Sequence, residues 1–261
     1  MANTVFENKI IEAKAKDLLV TALNTRSLMT VDNSLTESAG MTKTINTYTY
    51  EGTAEELATG AKNTNRGKIS YVGNDYTVKR VQQVFDYFDD DFMKDNTIVD
   101  NMLKGANQVM VNKMTADFIT EAGKATLGYE FTGAFGYDAV VDGISTLNLE
   151  DESKVFIVAP LAWKAELRKD EDFKAARMGE VIYSGQTHTL CGVPVIFTAA
   201  LNEVNNAFVM TAEAVKLFIK KDVEVEQDRD KEAAQNSVIL RTYYICALAD
   251  ATKICRLYPT A

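Results

Sequence analysis

The sequence predicts an α+β chain, and three observations carry that prediction. One long helical pattern runs from Asp95 to Gly123. Alternating runs rich in β-branched and aromatic residues flank it, at 42–50 and 68–88 before it and from Val223 onward after it. Between the helix and the final runs, strand and helix patterns succeed one another over a segment of about 80 residues, as in a compact α/β lobe.

Composition sets the outer bounds. At 261 residues and 46% hydrophobic content the chain can bury a real core, as one large domain or two small ones. Three prolines and 14 glycines argue against a disordered or fibrous class. The formal charge is −9, from 37 acids and 28 bases, and no cluster of lysines and arginines stands apart from the acids. Tight sequence-independent binding of nucleic acid needs such a patch, so it is not expected. Cys191, Cys246 and Cys255 are sparse, odd in number and without a CxxC pair, which suits thiols in a reducing compartment. A leader pattern and an 18-residue apolar run are both lacking, so neither secretion by a signal peptide nor a membrane span is expected.

Taken in order, residues 5–23 place Phe6, Ile10, Ile11, Leu18, Leu19 and Ala22 on one helical face. Residues 24–40 carry no period and read as an arm that must lie on something else. TKTINTYTY at 42–50 alternates as a strand, 51–67 loses every hydrophobic period, and KISYVGNDYTVKRVQQVFDYF returns to strand composition. The paired reading is a two-stranded projection with a polar tip. Such hairpins are marginal alone in water, so its support is expected from another subunit.

The helix that follows sets Ile98, Met102, Leu103, Ala106, Val109, Met110, Met114, Phe118 and Ile119 along one stripe. Asn96 or Thr97 is the expected N-cap, and Gly123 the expected left-handed stop. Residues 125–137 read as a glycine- and aromatic-rich connection, and Asp138 as the cap of a short helix through Ala139, Val140, Ile144 and Leu147. KVFIVA at 154–159 is a buried strand and Pro160 opens a helix, LAWKAELRK, in which Trp163 packs between helix and strand. Charged residues 170–178 give loop or helix; VIYSG, a strand from Cys191 to Thr198, the turn LNEVNN and the strand AFVMT follow. Thr211 is read as capping a helix, AEAVKLFI. VEVEQDRD and SVILRTYYICALAD are long strands, Asp250 turns the chain, and TKICRLYP is read as closing back on the sheet beside the long helix.

Residues that could carry chemistry are few. His188 and Cys191 could pair as base and nucleophile, but three residues apart in a strand they fall on opposite faces, and no third orienting group is evident. Cysteine as a small buried hydrophobe is the better reading, and the catalytic set is empty. GxxxxGK[ST], GxGxxG, GxSxG and HExxH do not occur. Asp86, Asp89, Asp90, Asp91 and Asp95 invite a divalent-metal reading, but the calcium-loop spacing is missing, and acids before a helix start complement its dipole. No metal or cofactor is expected.

This order of parts resembles the major capsid protein of tailed double-stranded-DNA bacteriophages, whose fold also appears in encapsulin shells and herpesvirus capsid floors. TLCGVPVIFTAAL, with Gly192, Pro194, Val195 and Thr198, resembles the family's G-x-P-V-x-x-(S/T) strand and turn; FVMTAEAVKLFIKKDVEVEQDRD and LRTYYICALADATKICRLYP resemble its usual ending. The resemblance implies an N-terminal arm (1–41), an extended E-loop (42–80), a P-domain with spine helix (81–129), an A-domain (130–218) and P-domain return strands (219–261). It implies a virion protein that assembles with itself, as hexamers and pentamers, around DNA it does not read, in the host cytoplasm and without a membrane. Scaffolding and portal proteins are the implied partners; with 261 residues there is room only for the short helix and arm and not for a cleaved segment, so a separate scaffolding protein, or assembly without one, is expected. Some members join subunits through a lysine–asparagine bond; Lys62 and Lys68 in the loop and Asn236 in the P-domain are the corresponding residue types, without spacing that marks them, and ordinary surface residues are the better reading. The alternatives are an encapsulin-like compartment, an α/β enzyme using Cys191 and His188, and a tail-tube or adhesin protein, which would not need the long helix.

Overall fold

The protein is described by a computed structural model over residues 14–15, 28–37, 39–95, 97–169 and 189–260. The predicted helix over 5–23 apart from Lys14 and Ala15, the start of the arm, Asn96 as a cap, the segment 170–178, VIYSG and His188 lie outside the described residues.

Among the described residues, three sheets and one long helix make the architecture. Strands β1 (Thr30–Asp32), β4 (Lys79–Phe88), β10 (Val215–Asp230) and β11 (Gln235–Leu248) form a four-stranded sheet in the order β1-β10-β11-β4. β10 and β11 are an antiparallel hairpin, β4 runs antiparallel along β11, and β1 lies parallel to the start of β10. Strands β5 (Leu127–Phe131), β6 (Val155–Pro160), β7 (Thr189–Leu190), β8 (Val193–Thr198), β9 (Ala207–Thr211) and β12 (Ile254–Pro259) form a six-stranded sheet in the order β5-β12-β9-β6-β8-β7. β2 (Thr42–Glu51) and β3 (Lys68–Thr77) pair, among the described residues, only with each other.

The short helix α1 (Asp89–Lys94) leads into the spine, α2 (Ile98–Ala122). Its 25 residues make a rod of roughly 38 Å. Leu103, Ala106, Met110, Met114 and Phe118 are buried in one core with Val225, Val238, Leu240 and Tyr244 of the four-stranded sheet and with Phe156, Val158, Phe208 and Met210 of the six-stranded sheet. The helix therefore joins the two sheets. The opposite side of the six-stranded sheet is closed by α3 (Tyr137–Leu147) and α4 (Trp163–Lys169), through Val140, Ile144, Leu147, Trp163 and Leu167.

Several local expectations are corrected by longer-range pairing. Val215–Asp230 is one strand, so VKLFI is not a helix behind Thr211; it is zipped between β1 and β11. Residues 127–131, read as a connection, form an edge strand parallel to β12. TKICRLYP joins the six-stranded sheet between β5 and β9 rather than the sheet beside β11. Pro160 ends β6, and α4 begins at Trp163. Gly136, not Asp138, holds the N-cap position of α3.

The ends of the spine also differ from expectation. Thr97 occupies the N-cap position without a side-chain cap bond; instead Asp95 Oδ1 accepts from Thr97 N at 2.8 Å and Thr97 Oγ1 at 2.7 Å. Gly123 stays right-handed at φ −63°, because Lys124 N and Ala125 N bond back to Glu121 O and Ala122 O and tighten the last turn. Left-handed backbone appears at Cys191 (φ 53°) and Gly192 (φ 79°), the two-residue turn joining β7 to β8. Positive φ at both positions is what a tight hairpin whose twist matches its strands requires, and it favours glycine at the second.

Candidate assembly surfaces

The β2–β3 ribbon is the main surface without support from its own subunit. Ten antiparallel pairs run from Thr42↔Thr77 to Glu51↔Lys68, a reach of roughly 34 Å at the usual rise. Only the base is anchored. Ile45 and Tyr76 pack against a small core of Leu35, Val78, Phe218, Ile245 and Ala247, and Val78 N donates to Met41 O at 2.7 Å. Tyr76 Oη reaches Leu248 O at 3.4 Å, and the Lys124 ammonium stands 5.7 Å from the centre of the Tyr76 ring. At the far end, Glu55 accepts from Thr64 N and Thr64 Oγ1, and Asn65 bonds Thr53, so the tip has turn structure of its own.

Two buried carboxylates of the spine tie helix, ribbon base and sheet together. Asp117 Oδ2 accepts from Tyr244 Oη at 2.8 Å, while Oδ1 takes Lys113 Nζ at 3.1 Å and Lys79 Nζ at 3.2 Å. Burial pushes the pKa of Asp117 up, but the bonds from Tyr244, Lys113 and Lys79 outweigh it and hold the carboxyl below its ordinary range. The Tyr244 hydroxyl is pushed far up, by desolvation first and then by Asp117. One turn on, both Glu121 oxygens accept from Lys124 Nζ at 2.8 Å, and donating to Glu121 raises the lysine above its usual value. Both acids are buried. A charge placed there without these partners would cost several kcal/mol.

At the far end of the four-stranded sheet, Asp89 accepts from Arg229 Nη2 and Asn236 Nδ2, each at 2.7 Å. Asp91 pairs with Lys94 at 3.5 Å and Asp95 bonds Thr97. The acidic run is thus shared among separate partners. Among the described residues no group of three histidine, cysteine, aspartate or glutamate side chains is placed to hold a metal ion. Asn236 is held by a carboxylate, whereas Lys62 and Lys68 are exposed on the ribbon side.

Cys191 sits in the β7–β8 turn, and burial pushes its thiol up, away from the reactive thiolate. Cys246 is pushed up to about 12, by burial first and then by Glu121 and Asp117. Trp163 packs as expected: it stacks on Phe135 at 5.0 Å between centroids, meets Phe131 edge-on at 5.5 Å, and its Nε1 donates to Asn205 Oδ1 at 3.1 Å. A recess of about 230 Å³ lies between the spine, β6, β8 and the turn at Ala199, lined by Val111, Thr115, Phe118, Val158 and Phe197. Among the described residues, its lining carries no charged side chain. What the sequence did not single out is the spine's pair of buried acids, which look like surface charges in a polar-rich helix.

No protein-family model matches the sequence, and no curated protein matches it. Solved structures do. The virus-like particle from Pyrococcus furiosus aligns at a TM-score of 0.68 and 10% identity, over 97% of this chain and 100% of that one. The capsid of the cyanophage P-SCSP1u aligns at 0.67 and 13%, over 89% and 86%. The capsid of a native gene-transfer-agent (GTA) particle aligns at 0.69 and 17%, over 92% and 91%. The chain therefore has the fold of tailed-phage major capsid proteins.

Proposed function

We propose that the chain is a structural virion protein that assembles with itself, as hexamers and pentamers, into the icosahedral head of a tailed bacteriophage. The observation that carries this reading is the β2–β3 ribbon. It extends well beyond the core of its own subunit with large apolar side chains in water, on a fold that recurs in capsids. Closed rings of such subunits are heterologous, one face fitting a different face of the next copy, and an extended element that overlaps a neighbour meets that requirement. The charge of −9 supports a container that encloses DNA without holding it tightly.

The partition into arm 1–41, E-loop 42–80, P-domain 81–129, A-domain 130–218 and return strands 219–261 belongs to the same proposal, amended by the placement of β5 and β12 in the six-stranded sheet. So do a virion location after assembly in the host cytoplasm, partnership with scaffolding and portal proteins, and the absence of enzyme activity. The raised thiol of Cys191 bears only on the alternative that uses it as a nucleophile, and argues against it.

A compartment shell of the encapsulin type is the second reading, favoured by the match to the virus-like particle over that chain's whole length. Negative-stain electron microscopy of the chain after size-exclusion chromatography tests both. Closed polyhedra, tubes or rings of six are expected, and DNA or protein inside them separates head from compartment. A strictly monomeric protein, with and without a scaffolding protein added, would overturn the shell reading.

A further inference from the structure

The recess between the spine and the six-stranded sheet has an apolar floor. Leu28, Val111, Phe118, Ile119 and Val158 line it and are buried, and Ile196 stands in register beside Val158. Thr115 on the spine and Ala199 and Ala200 in the turn are small where the two elements meet, so about 230 Å³ between them stays open. A cavity of about 150 Å³ lined by leucine, isoleucine and phenylalanine already takes up benzene, so this volume accommodates one substituted aromatic ring. Water suits such a floor poorly, because each molecule needs about two to four polar partners.

The rim is polar without being charged. Gln108 and Asn112 are exposed, one turn apart on α2, and Gln108 Nε2 donates to Asn112 Oδ1 at 3.0 Å. In either orientation of the two amides, the pair keeps one oxygen to accept and one nitrogen to donate. Thr198 Oγ1 accepts from Ala200 N at 3.3 Å, which leaves its proton for a further acceptor. Thr115 Oγ1, by contrast, is engaged by Val111 O at 2.9 Å. Among the described residues no lysine, arginine, aspartate or glutamate lines the recess, so a charged guest would lose hydration with nothing to replace it.

An apolar floor under a rim that both donates and accepts fits one class of ligand. We propose that the recess binds a small neutral phenol, its ring against Val111, Phe118 and Val158 and its hydroxyl between Gln108 and Asn112. Such a guest touches the spine and the six-stranded sheet together, so it stabilises their packing by mass action. The site belongs to the free subunit and does not depend on the shell reading.

Titration calorimetry and thermal unfolding of the unassembled chain with para-cresol test it. Saturable binding at one site per chain is expected, with a melting temperature that rises by a few degrees at millimolar ligand. Toluene, which lacks the hydroxyl, is expected to bind several-fold more weakly, and para-toluate and para-methylbenzylamine not at all. Thr115→Leu and, separately, Ala200→Leu fill the space from opposite walls; each is expected to keep the fold by circular dichroism and to abolish binding. Gln108→Leu is expected to weaken para-cresol several-fold and to leave toluene unchanged. No saturable binding in the millimolar range, binding that survives both filling variants, or equal binding of the charged analogues overturns the site. Equal effects of Gln108→Leu on para-cresol and toluene overturn the placement of the hydroxyl. None of these outcomes bears on whether the chain forms shells.

Discussion

Asp117 shows how much of this subunit depends on one buried charge. Its three donors come from the spine, the base of β4 and the middle of β11, so the carboxylate fixes how helix and sheet meet. Asp117→Ala strands the Tyr244 hydroxyl in the interior, and thermal unfolding is expected to show a loss of about 2–3 kcal/mol. The pH dependence follows from the depressed pKa of the folded state. Stability from this group is complete at neutral pH and is lost as pH falls below about 4, through the folded value, where the native carboxylate takes up its proton. Asp117→Asn is expected to flatten that part of the unfolding-versus-pH curve, while its stability at neutral pH drops because two lysines lose their anion. Gly105 offers the reverse case. It lies in the spine with open space where a β-carbon would project, so Gly105→Ala is expected to raise the unfolding free energy of the free subunit by roughly 0.5–1 kcal/mol.

Among elements, the ribbon and the spine differ in what they contribute. Deleting residues 54–66 removes only exposed tip and no core side chain, so the melting temperature of the subunit is expected to stay within a few degrees while shells fail to form in electron micrographs. Closed particles from that deletion would end the assignment of the ribbon as the overlapping element. Both elements were legible in the sequence because each repeats its own period along its length: Ile45, Thr47 and Thr49 by twos, Leu103, Ala106, Met110 and Met114 by threes and fours. Elements defined by distant partners were not. Leu127–Phe131 has few strand signals of its own and becomes a strand because β12 lies beside it, and VKLFI reads equally as a helix until β1 and β11 flank it. Cys191 and Gly192 look like the first residues of a strand, yet the chain reverses there. The alternation of Tyr48 and Tyr50 against Thr47 and Thr49 was visible as a pattern; where the ribbon is held by its base, through Ile45 and Tyr76, was not.

For the molecule as a whole, the balance between repulsion and contact should be set by ions. A charge of −9 on every copy opposes association at low ionic strength, and salt shortens the range of that opposition to about 8 Å near physiological conditions. Light scattering is therefore expected to show faster assembly at about 150–300 mM than at about 10 mM sodium chloride. The opposite trend would mean that ion pairs between copies, such as contacts to the acidic edge of β10, dominate the association. Contact through the exposed apolar side chains of the ribbon predicts that moderate salt helps.

The position of β12 bears on how the polypeptide is made. Cys255 pairs with Leu127 on one side and Val209 on the other, so a place inside the six-stranded sheet is filled by a strand synthesised long after both neighbours. Until Ile254–Pro259 leaves the ribosome, β5 has no partner and β9 shows a bare edge, a template for pairing with other nascent chains. Translation that pauses before Ile254 is expected to leave both edges open to pairing with other nascent chains.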